Sequence, residues 1–284
     1  MTNNHTVNMN NLVKNILTEI VNNIDEKKEN GKNVQGRGRP RKCSNTKYIE
    51  AIYYVLKTGI SWNDLVGYSI KGDTTRKKFN YWCKNNVFKL LWIILVDIYS
   101  YFKLDFEQLF IDGSHIKNLL GNEMTGRNTY DRSRLSTKIM YIVDDNGAPV
   151  GIDMGAGNTH DIKFLLSTVE NIEIDIESTK FLIGDKGYIS NDLRGQLMEK
   201  YTIKLITPRK RKRGQIGKTR GRKPKDHEKL RGRYIVEHSF SWMKQYGRLF
   251  RRKDKLQKIF KGFVMFGSAL IVANKLNRIL CTDK

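Results

Sequence analysis

The spacing of apolar residues changes near residue 104, and this change limits the folds that the chain can adopt. Before that point apolar residues recur every three to four positions, as in "YIEAIYYVLKTG" (48–59), which is typical of amphipathic helices. Beyond it, short apolar runs bounded by Asp, Gly and Asn indicate strands that alternate with helices. We therefore predict an all-helical region followed by an α/β domain.

The helical region is predicted to have two parts. Residues 1–35 hold a weakly ordered amphipathic helix and a linker, and residues 36–104 hold a helical DNA-binding domain. In the second part we expect a short helix capped by Ser61 and a helix capped by Asp73 or Thr74. The first turn of the latter carries basic residues, which are Arg76, Lys77 and Lys78. This layout is typical of a helix-turn-helix, with an ordinary three-helix bundle that has a solvated basic face as the alternative.

The charge of the chain is strongly positive and indicates a polyanionic partner. The sequence has 52 Lys and Arg against 29 Asp and Glu, a formal net charge of +23. Such a field attracts nucleic acid above all. The segment "GRGRPRK" (36–42) resembles an arm that lies in the DNA minor groove, although a solvated linker fits equally. The basic loop 208–226, with Arg209 and Arg211, is expected to become ordered on DNA.

Other classes of protein are disfavoured by the composition. The three cysteines, at 43, 83 and 281, have no paired spacing, which argues against a disulfide framework and a zinc finger. The apolar stretches are interrupted or too short to span a bilayer, and the amino terminus lacks the pattern of a secretion signal. We expect a soluble intracellular protein with no membrane partner.

Residues 105–284 are predicted to form an RNase H-like domain, a mixed sheet with flanking helices. Strands are expected at "EQLFIDGS", in a hairpin that turns at "DDNG", at "KFLIGDKGY" and at "IKLITP". Helices are expected between the last strands, and two helices, "RYIVEHSFSWMKQYGRLF" and "FKGFVMFGSALIVANKLNRIL", close the chain. Three antiparallel strands followed by alternating helices and strands give this fold class.

Two of the predicted strands end in aspartate, at Asp112 and Asp185. If these strands are neighbours in one sheet, the two carboxylates meet at a common end and require a proton or a cation between them. Oxygen ligands with open positions suit Mg²⁺ or Mn²⁺. The alternative is that each Asp serves only as a strand-end turn residue.

Glu237 is the predicted third carboxylate, because it interrupts an apolar helix. Arg233 lies four residues before it and Lys244 seven after it, so both fall within about 40° of the same helix face. Val236 and Phe240 are expected to pack inward from the other face. An exposed ladder of ion pairs is the alternative interpretation.

These segments resemble the DDE transposases of bacterial insertion sequences, specifically the insertion-sequence-five group. "IDGSH" and "GDKGY" are similar to the family's two aspartate segments, and "RYIVEHSFSWMKQYGRLFRRKDKL" is similar to its glutamate helix. The resemblance spans most of residues 36–276. One position departs from the related signature, which has Tyr where this chain has Leu230.

The resemblance implies an enzyme that cuts and joins DNA with two divalent ions held by Asp112, Asp185 and Glu237. Arg233 and Lys244 would bind DNA phosphates near the metals. The implied partners are double-stranded DNA, as the inverted-repeat ends of an element and as target, and a second copy of the chain on that DNA. The location would be the cytoplasm and nucleoid, or the nucleus in a eukaryotic host. The alternatives are a silent DNA-binding derivative and a nuclease of the same fold.

Two further segments near these motifs have open interpretations. In "GNTHDI", His160 and Asp161 fit a ligand role, but a helix cap supplied by Thr159 fits equally. The polar and basic segment 124–134, with Arg127, is expected to be an active-site loop that touches DNA.

Overall fold

The computed structural model of the protein describes residues 9–30, 43–65, 67–68, 70–129, 131–208 and 226–282, without the side chains of 27–30, 227 and 282. The chain divides into two compact units. The helical unit comprises Met1–Tyr99, Leu119–Glu123 and Met243–Lys284, and the sheet unit comprises Ser100–Asn118 and Met124–Trp242. The segment "GRGRPRK" and the basic residues Arg209 and Arg211 lie outside the described residues.

The helical unit groups the last helices of the chain with the first ones, whereas the sequence analysis assigned 243–284 to the catalytic domain. Its elements are α1 (Asn11–Asn30), α2 (Asn45–Thr58), a 3₁₀ turn (Trp62–Asp64), α3 (Gly72–Lys84), α4 (Val87–Phe102), α8 (Gly247–Phe250), β7 (Arg251–Arg252) and α9 (Gln257–Thr282). Helix α4 continues into the first residues of the sheet unit.

Aromatic side chains form the centre of the helical unit. The rings of Phe79 and Phe263 stack with centroids 4.2 Å apart, and Phe88 packs against Phe79 at 5.1 Å. Within the described residues, only Gln257–Cys281 is long and apolar enough to cross a membrane, and 83% of its most apolar window is buried in the protein. Burial of that extent is what the core helix of a globular protein shows, and it accounts for the apolar character of α9.

The start of α3 differs from the prediction. Ser61 caps the 3₁₀ turn as expected, since its hydroxyl accepts a hydrogen bond from the Asn63 N–H at 3.3 Å. However, α3 begins at Gly72, and its N-cap is Lys71, which makes no side-chain cap, so the expected cap at Asp73 or Thr74 is wrong. A Cβ at Gly72 would lie 1.7 Å from the Trp62 carbonyl oxygen, so this close approach requires glycine and places the helix start there.

The sheet unit has the mixed sheet with flanking helices that the sequence predicted for an RNase H-like domain. Strands run in the order β2-β3-β1-β5-β6, and β4 also pairs with β3. Strand β1 is antiparallel to β3 and parallel to β5, which is parallel to β6. The elements are β1 (Gln108–Asn118), β2 (Gly126–Asn128), β3 (Arg134–Val143), β4 (Pro149–Ala156), a 3₁₀ turn (Asp161–Phe164), α5 (Leu165–Glu170), β5 (Phe181–Ile183), a 3₁₀ turn (Lys186–Tyr188), α6 (Asn191–Tyr201), β6 (Lys204–Ile206), a 3₁₀ helix (His227–Arg233) and α7 (Tyr234–Lys244).

The predicted hairpin is confirmed in β3 and β4, which pair in antiparallel register. At its turn the Gly147 N–H donates to the Asp144 carbonyl at 3.0 Å, and Gly147 has a φ of +79°. Glycine adopts such a φ without the steric cost that a side chain adds. The turn sequence "DDNG" therefore forms the hairpin turn that it predicted.

The penultimate helix is shorter than the sequence predicted. One helix was expected through Phe250, but α7 ends at Lys244, and Tyr246 has extended backbone angles before α8 begins. The reason lies at Gly247, where a Cβ would be 2.5 Å from the Thr58 carbonyl oxygen. Because the backbone of Gly247 packs directly on the end of α2, the chain turns there instead of continuing the helix.

Candidate active site

Asp112 and Asp185 lie at the same level of two paired strands, but only β5 ends there, because β1 continues past Asp112 to Asn118 and the predicted strand end at Asp112 is wrong. Phe110 of β1 is the register partner of Ile183 of β5. Asp112 comes two residues after Phe110, and Asp185 comes two residues after Ile183. Parallel strands advance at the same rate, so the two residues emerge at the same level. The predicted meeting of these two carboxylates therefore has its geometric basis in the strand register.

The Asp112 carboxyl group has a raised pKa and therefore ionises less readily than an exposed aspartate. Its burial raises its pKa to about 6, and the charges of Asp185 and Asp161 add to the rise. A hydrogen bond from the Gly113 N–H, at 2.8 Å, and the charge of Arg233 act in the opposite direction. A buried carboxylate beside two others gains from a cation, which is the electrostatic condition of a metal site.

Tyr188 lies three residues after the second aspartate and is buried near the same carboxylates. Its side chain is fully buried, and its hydroxyl has no hydrogen-bond partner among the described residues. Burial raises the pKa of Tyr188, and the charges of Asp112, Asp161 and Asp185 raise it further. A buried hydroxyl without a partner is uncommon and costs folding free energy.

Asp161, for which the sequence left a ligand role open, lies close to the two aspartates. Its charge acts on both Asp112 and Tyr188, and its carboxylate forms an ion pair with Lys138. The expected cap at Thr159 is wrong, because the His160 side chain is the N-cap of the 3₁₀ turn and accepts from the Ile162 N–H. The only hint in the sequence was the adjacent pair of His160 and Asp161 at a predicted helix start.

Helix α7 brings one of the two predicted cations to the aspartates. Arg233, immediately before α7, is close enough to lower the pKa of Asp112. The helix packs on the sheet through its buried residues, with the Phe240 ring stacked on Tyr141 at 4.8 Å. Since Tyr141 is the register partner of Asp112, α7 lies over the first aspartate.

Glu237 is exposed on the outer face of α7, one turn after Arg233. In the part of the chain that the structure describes, no three His, Cys, Asp or Glu side chains converge closely enough to hold one ion. The structure thus brings Asp112, Asp185 and Arg233 together, and it places Glu237 on the adjacent helix without joining it to the pair.

Comparison with known proteins identifies the family. A family model described as "Transposase DDE domain" matches residues 104–271, which include Asp112, Asp185 and Glu237. The chain belongs to the DDE transposase family. A second family model, described as a transposase of the IS4/5 family, matches residues 20–92.

This DDE transposase is similar to one relative and to two solved structures. A protein described as a transposase for insertion sequence element IS402 from Burkholderia cepacia is 26% identical over 166 residues, which is 56% of this chain and 72% of the relative. A piggyBac transposase synaptic complex with hairpin DNA gives a TM-score of 0.49 at 13% identity, covering 99% of this chain and 78% of the other. A pre-cleavage Mos1 transpososome gives a TM-score of 0.28 at 9% identity, covering 93% and 87%. The fold assignment rests on the strand order of the sheet and not on these two likenesses.

The predicted DNA-binding residues of α3 have different surroundings. Arg76 and Lys77 both pair with Asp73, and their side chains are 50% and 74% exposed. Lys78 instead donates to Asp25 of α1 at 2.8 Å, where the two side chains are 17% and 6% exposed. The ammonium group of Lys78 is therefore already engaged inside the transposase.

The remaining predicted contacts lie on separate elements. Arg127 is exposed on β2, which pairs with the start of β3, so the expected loop 124–134 contains a short strand. Lys244 ends α7 and belongs to the helical unit, where burial lowers the pKa of its ammonium group. Amine groups that are partly buried in this way gain from an anionic partner.

Proposed function

We propose that this DDE transposase cuts DNA at the ends of a mobile element and joins those ends to target DNA in a reaction that depends on divalent metal. The observation that carries the proposal is the placement of Asp112 and Asp185, each two residues beyond the register pair of Phe110 and Ile183, with the pKa of Asp112 raised by its partial burial. A protein that only binds DNA has no need to bury a carboxylate beside two others, since this placement costs folding energy. Metal-dependent DNA cleavage and joining is therefore the function that this geometry supports best.

The carboxylates suit Mg²⁺ or Mn²⁺, and we propose that two ions are held by Asp112, Asp185 and Glu237. Hard divalent cations prefer carboxylate oxygens, and the charges of Asp185 and Asp161 both act on Asp112. When bound, such ions activate an attacking water or 3′-hydroxyl and stabilise the leaving oxygen of the phosphodiester. Recruiting Glu237 requires its exposed side chain to turn toward the aspartates when metal and DNA bind.

The side chains around the carboxylates would orient the DNA. Arg233 partly balances the charge of Asp112, and we propose that it also donates to a phosphate close to the scissile bond. Lys244 is proposed to bind a phosphate further along the strand. Other proposed phosphate contacts are made by Arg76, Lys77, Arg127, Arg209 and Arg211. Lys78 is proposed to support the α3 surface through Asp25 rather than to bind phosphate itself.

The proposed partners follow from the reaction. They are double-stranded DNA, both as the inverted-repeat ends of the element and as the target, and a second copy of the transposase that holds the other end. The formal charge of +23 favours association with DNA at low ionic strength. We place the reaction inside the cell, at the nucleoid.

The proposal is tested with Mn²⁺ and a labelled DNA fragment that carries the inverted repeats flanking the coding sequence. Asp112→Ala and Glu237→Gln should each abolish strand cleavage and joining while leaving the gel-shift affinity for the fragment unchanged. Glu170→Gln is a matched control, because Glu170 is an exposed carboxylate paired with Lys200 on the sheet unit. Nicking at the wild-type rate by either active-site variant would refute the assignment, and hydrolysis without joined products would indicate a nuclease.

A further inference from the structure

The carboxylate of Asp161 lies against the backbone segments that follow both active-site aspartates. A Cβ placed on Gly113 would be 3.3 Å from Asp161 Oδ1, and one placed on Gly187 would be 4.0 Å from Asp161 Oδ2. Gly113 follows Asp112 directly, and Gly187 comes two residues after Asp185. The two glycines therefore leave room for this third carboxylate beside the pair.

Lys138 holds Asp161 in this position. Its ammonium group forms an ion pair with Asp161 and donates to the Thr159 carbonyl oxygen at 2.7 Å. The Lys138 side chain is 7% exposed and that of Asp161 31%, so the pair is largely shielded from solvent. Lys138 lies in the middle of β3, where its register partner on β1 is His115. The pair thus joins the centre of the sheet to the turn that follows β4.

We propose that Lys138 and Asp161 are positioning residues that together set the affinity of the Asp112–Asp185 site for its divalent cation. The two charges oppose each other at the site, and the charge of Asp161 is the one that acts on Asp112. Removing Asp161 leaves an unbalanced ammonium group that repels a cation, whereas removing Lys138 leaves an unbalanced carboxylate that attracts it. The inference rests on the proposed function of that site as a metal site.

Two further observations connect Asp161 electrostatically with the active-site aspartates. The charge of Asp161 reaches both Asp112 and the Tyr188 hydroxyl, so the three groups share one electrostatic environment. The Tyr188 hydroxyl is fully buried and finds no partner in the described part of the chain. Because water does not reach this hydroxyl, solvent screens the charges around it only weakly.

The test measures Mn²⁺ binding to the full-length protein without DNA, by the electron paramagnetic resonance signal of free Mn²⁺. Asp161→Asn should weaken Mn²⁺ binding and Lys138→Met should tighten it, each by about tenfold. An unbalanced charge near the ion changes the Mn²⁺ binding constant by at least that factor. The double variant should return to within about twofold of wild type, and Lys138→Arg, which keeps the charge, should bind as wild type does. Circular dichroism of each variant checks the fold.

A matched control comes from an exposed pair in the same unit. Glu170 and Lys200 are 55% and 60% exposed, and Glu170→Gln and Lys200→Met should leave the Mn²⁺ affinity unchanged because solvent screens their charges. A purely structural role for Lys138 and Asp161 predicts weaker binding in both single variants. If Lys138→Met fails to fold, comparison of Asp161→Asn with the double variant still decides, since only a charge effect is reversed by the second substitution.

The outcomes separate the inference from the proposed function. Shifts in the same direction for Asp161→Asn and Lys138→Met, or no shift in either, would overturn the inference alone, provided that Asp112→Ala removes Mn²⁺ binding. Binding that Asp112→Ala leaves intact would overturn the proposed metal site and the inference together. Opposite shifts that cancel in the double variant would support it.

Discussion

Replacing Asp112 by asparagine should stabilise the metal-free protein at alkaline pH while abolishing its activity. The folded protein raises the pKa of Asp112 from an ordinary value of 3.8 to about 6, chiefly by burial. The folded state therefore binds more protons than the unfolded state between pH 4 and 6, and the stability of the wild type falls as the pH rises through that window. Above pH 6 the full penalty of the buried carboxylate is present.

The size of this effect follows from the two pKa values. Their difference of about two corresponds to about 3 kcal/mol of unfolding free energy, as an upper limit. Asp112→Asn removes the charge and keeps an oxygen that accepts from the Gly113 N–H. The variant should thus be more stable than wild type by up to about 3 kcal/mol at pH 8, and by no more than about 1 kcal/mol at pH 4.5.

The assay is urea unfolding followed by tryptophan fluorescence, with a chelator present, at pH 8 and at pH 4.5. Asp175→Asn is the matched control, because Asp175 is exposed and its side chain accepts from the Glu177 N–H, a bond that asparagine can also make. Adding Mn²⁺ at pH 8 should stabilise the wild type and not the Asp112 variant. Equal stability of the two proteins at pH 8, or a difference that does not change with pH, would refute the reasoning.

Two further predictions concern the packing of each unit. Arg248→Met should lower the unfolding free energy by about 3–5 kcal/mol, because the buried Asp254 loses its bidentate partner; calorimetry that shows an unchanged melting temperature would contradict this. Phe240→Ala should cost about 3–5 kcal/mol through the lost stack on Tyr141 and the cavity that remains. Chemical unfolding measures that cost, and a loss below about 1 kcal/mol would show that α7 does not depend on this contact.

The two aspartates could be found from the sequence because their signal is local. An apolar run leads into Asp112 and into Asp185, and the parallel register places both residues at one level, although only β5 ends there while β1 continues to Asn118. The hairpin turn at Gly147 was equally predictable, since its positive φ needs glycine. These features depend on neighbours within a few residues of each other.

The features that the sequence left open or did not predict depend on contacts between distant parts of the chain. Asp161 approaches Asp112 only because β4 and its following turn fold back over the sheet, and no spacing in the sequence encodes that approach. From the sequence, Lys78 was expected to be a DNA-binding cation in the first turn of α3. In the structure its ammonium group pairs with Asp25, which belongs to the distant helix α1. The break at Gly247 arises in the same way, from its packing on the end of α2.

The most direct measurement of the central claim is cleavage of the polypeptide by Fe²⁺ bound in place of Mg²⁺, with ascorbate and peroxide, in the presence of element-end DNA. Hydroxyl radicals formed at the ion break the backbone only within a few ångströms of it, and mass spectrometry locates the breaks. The account predicts breaks near Asp112, Asp185 and Glu237, all suppressed by excess Mg²⁺. Breaks near the two aspartates with none near Glu237 would contradict the three-carboxylate site.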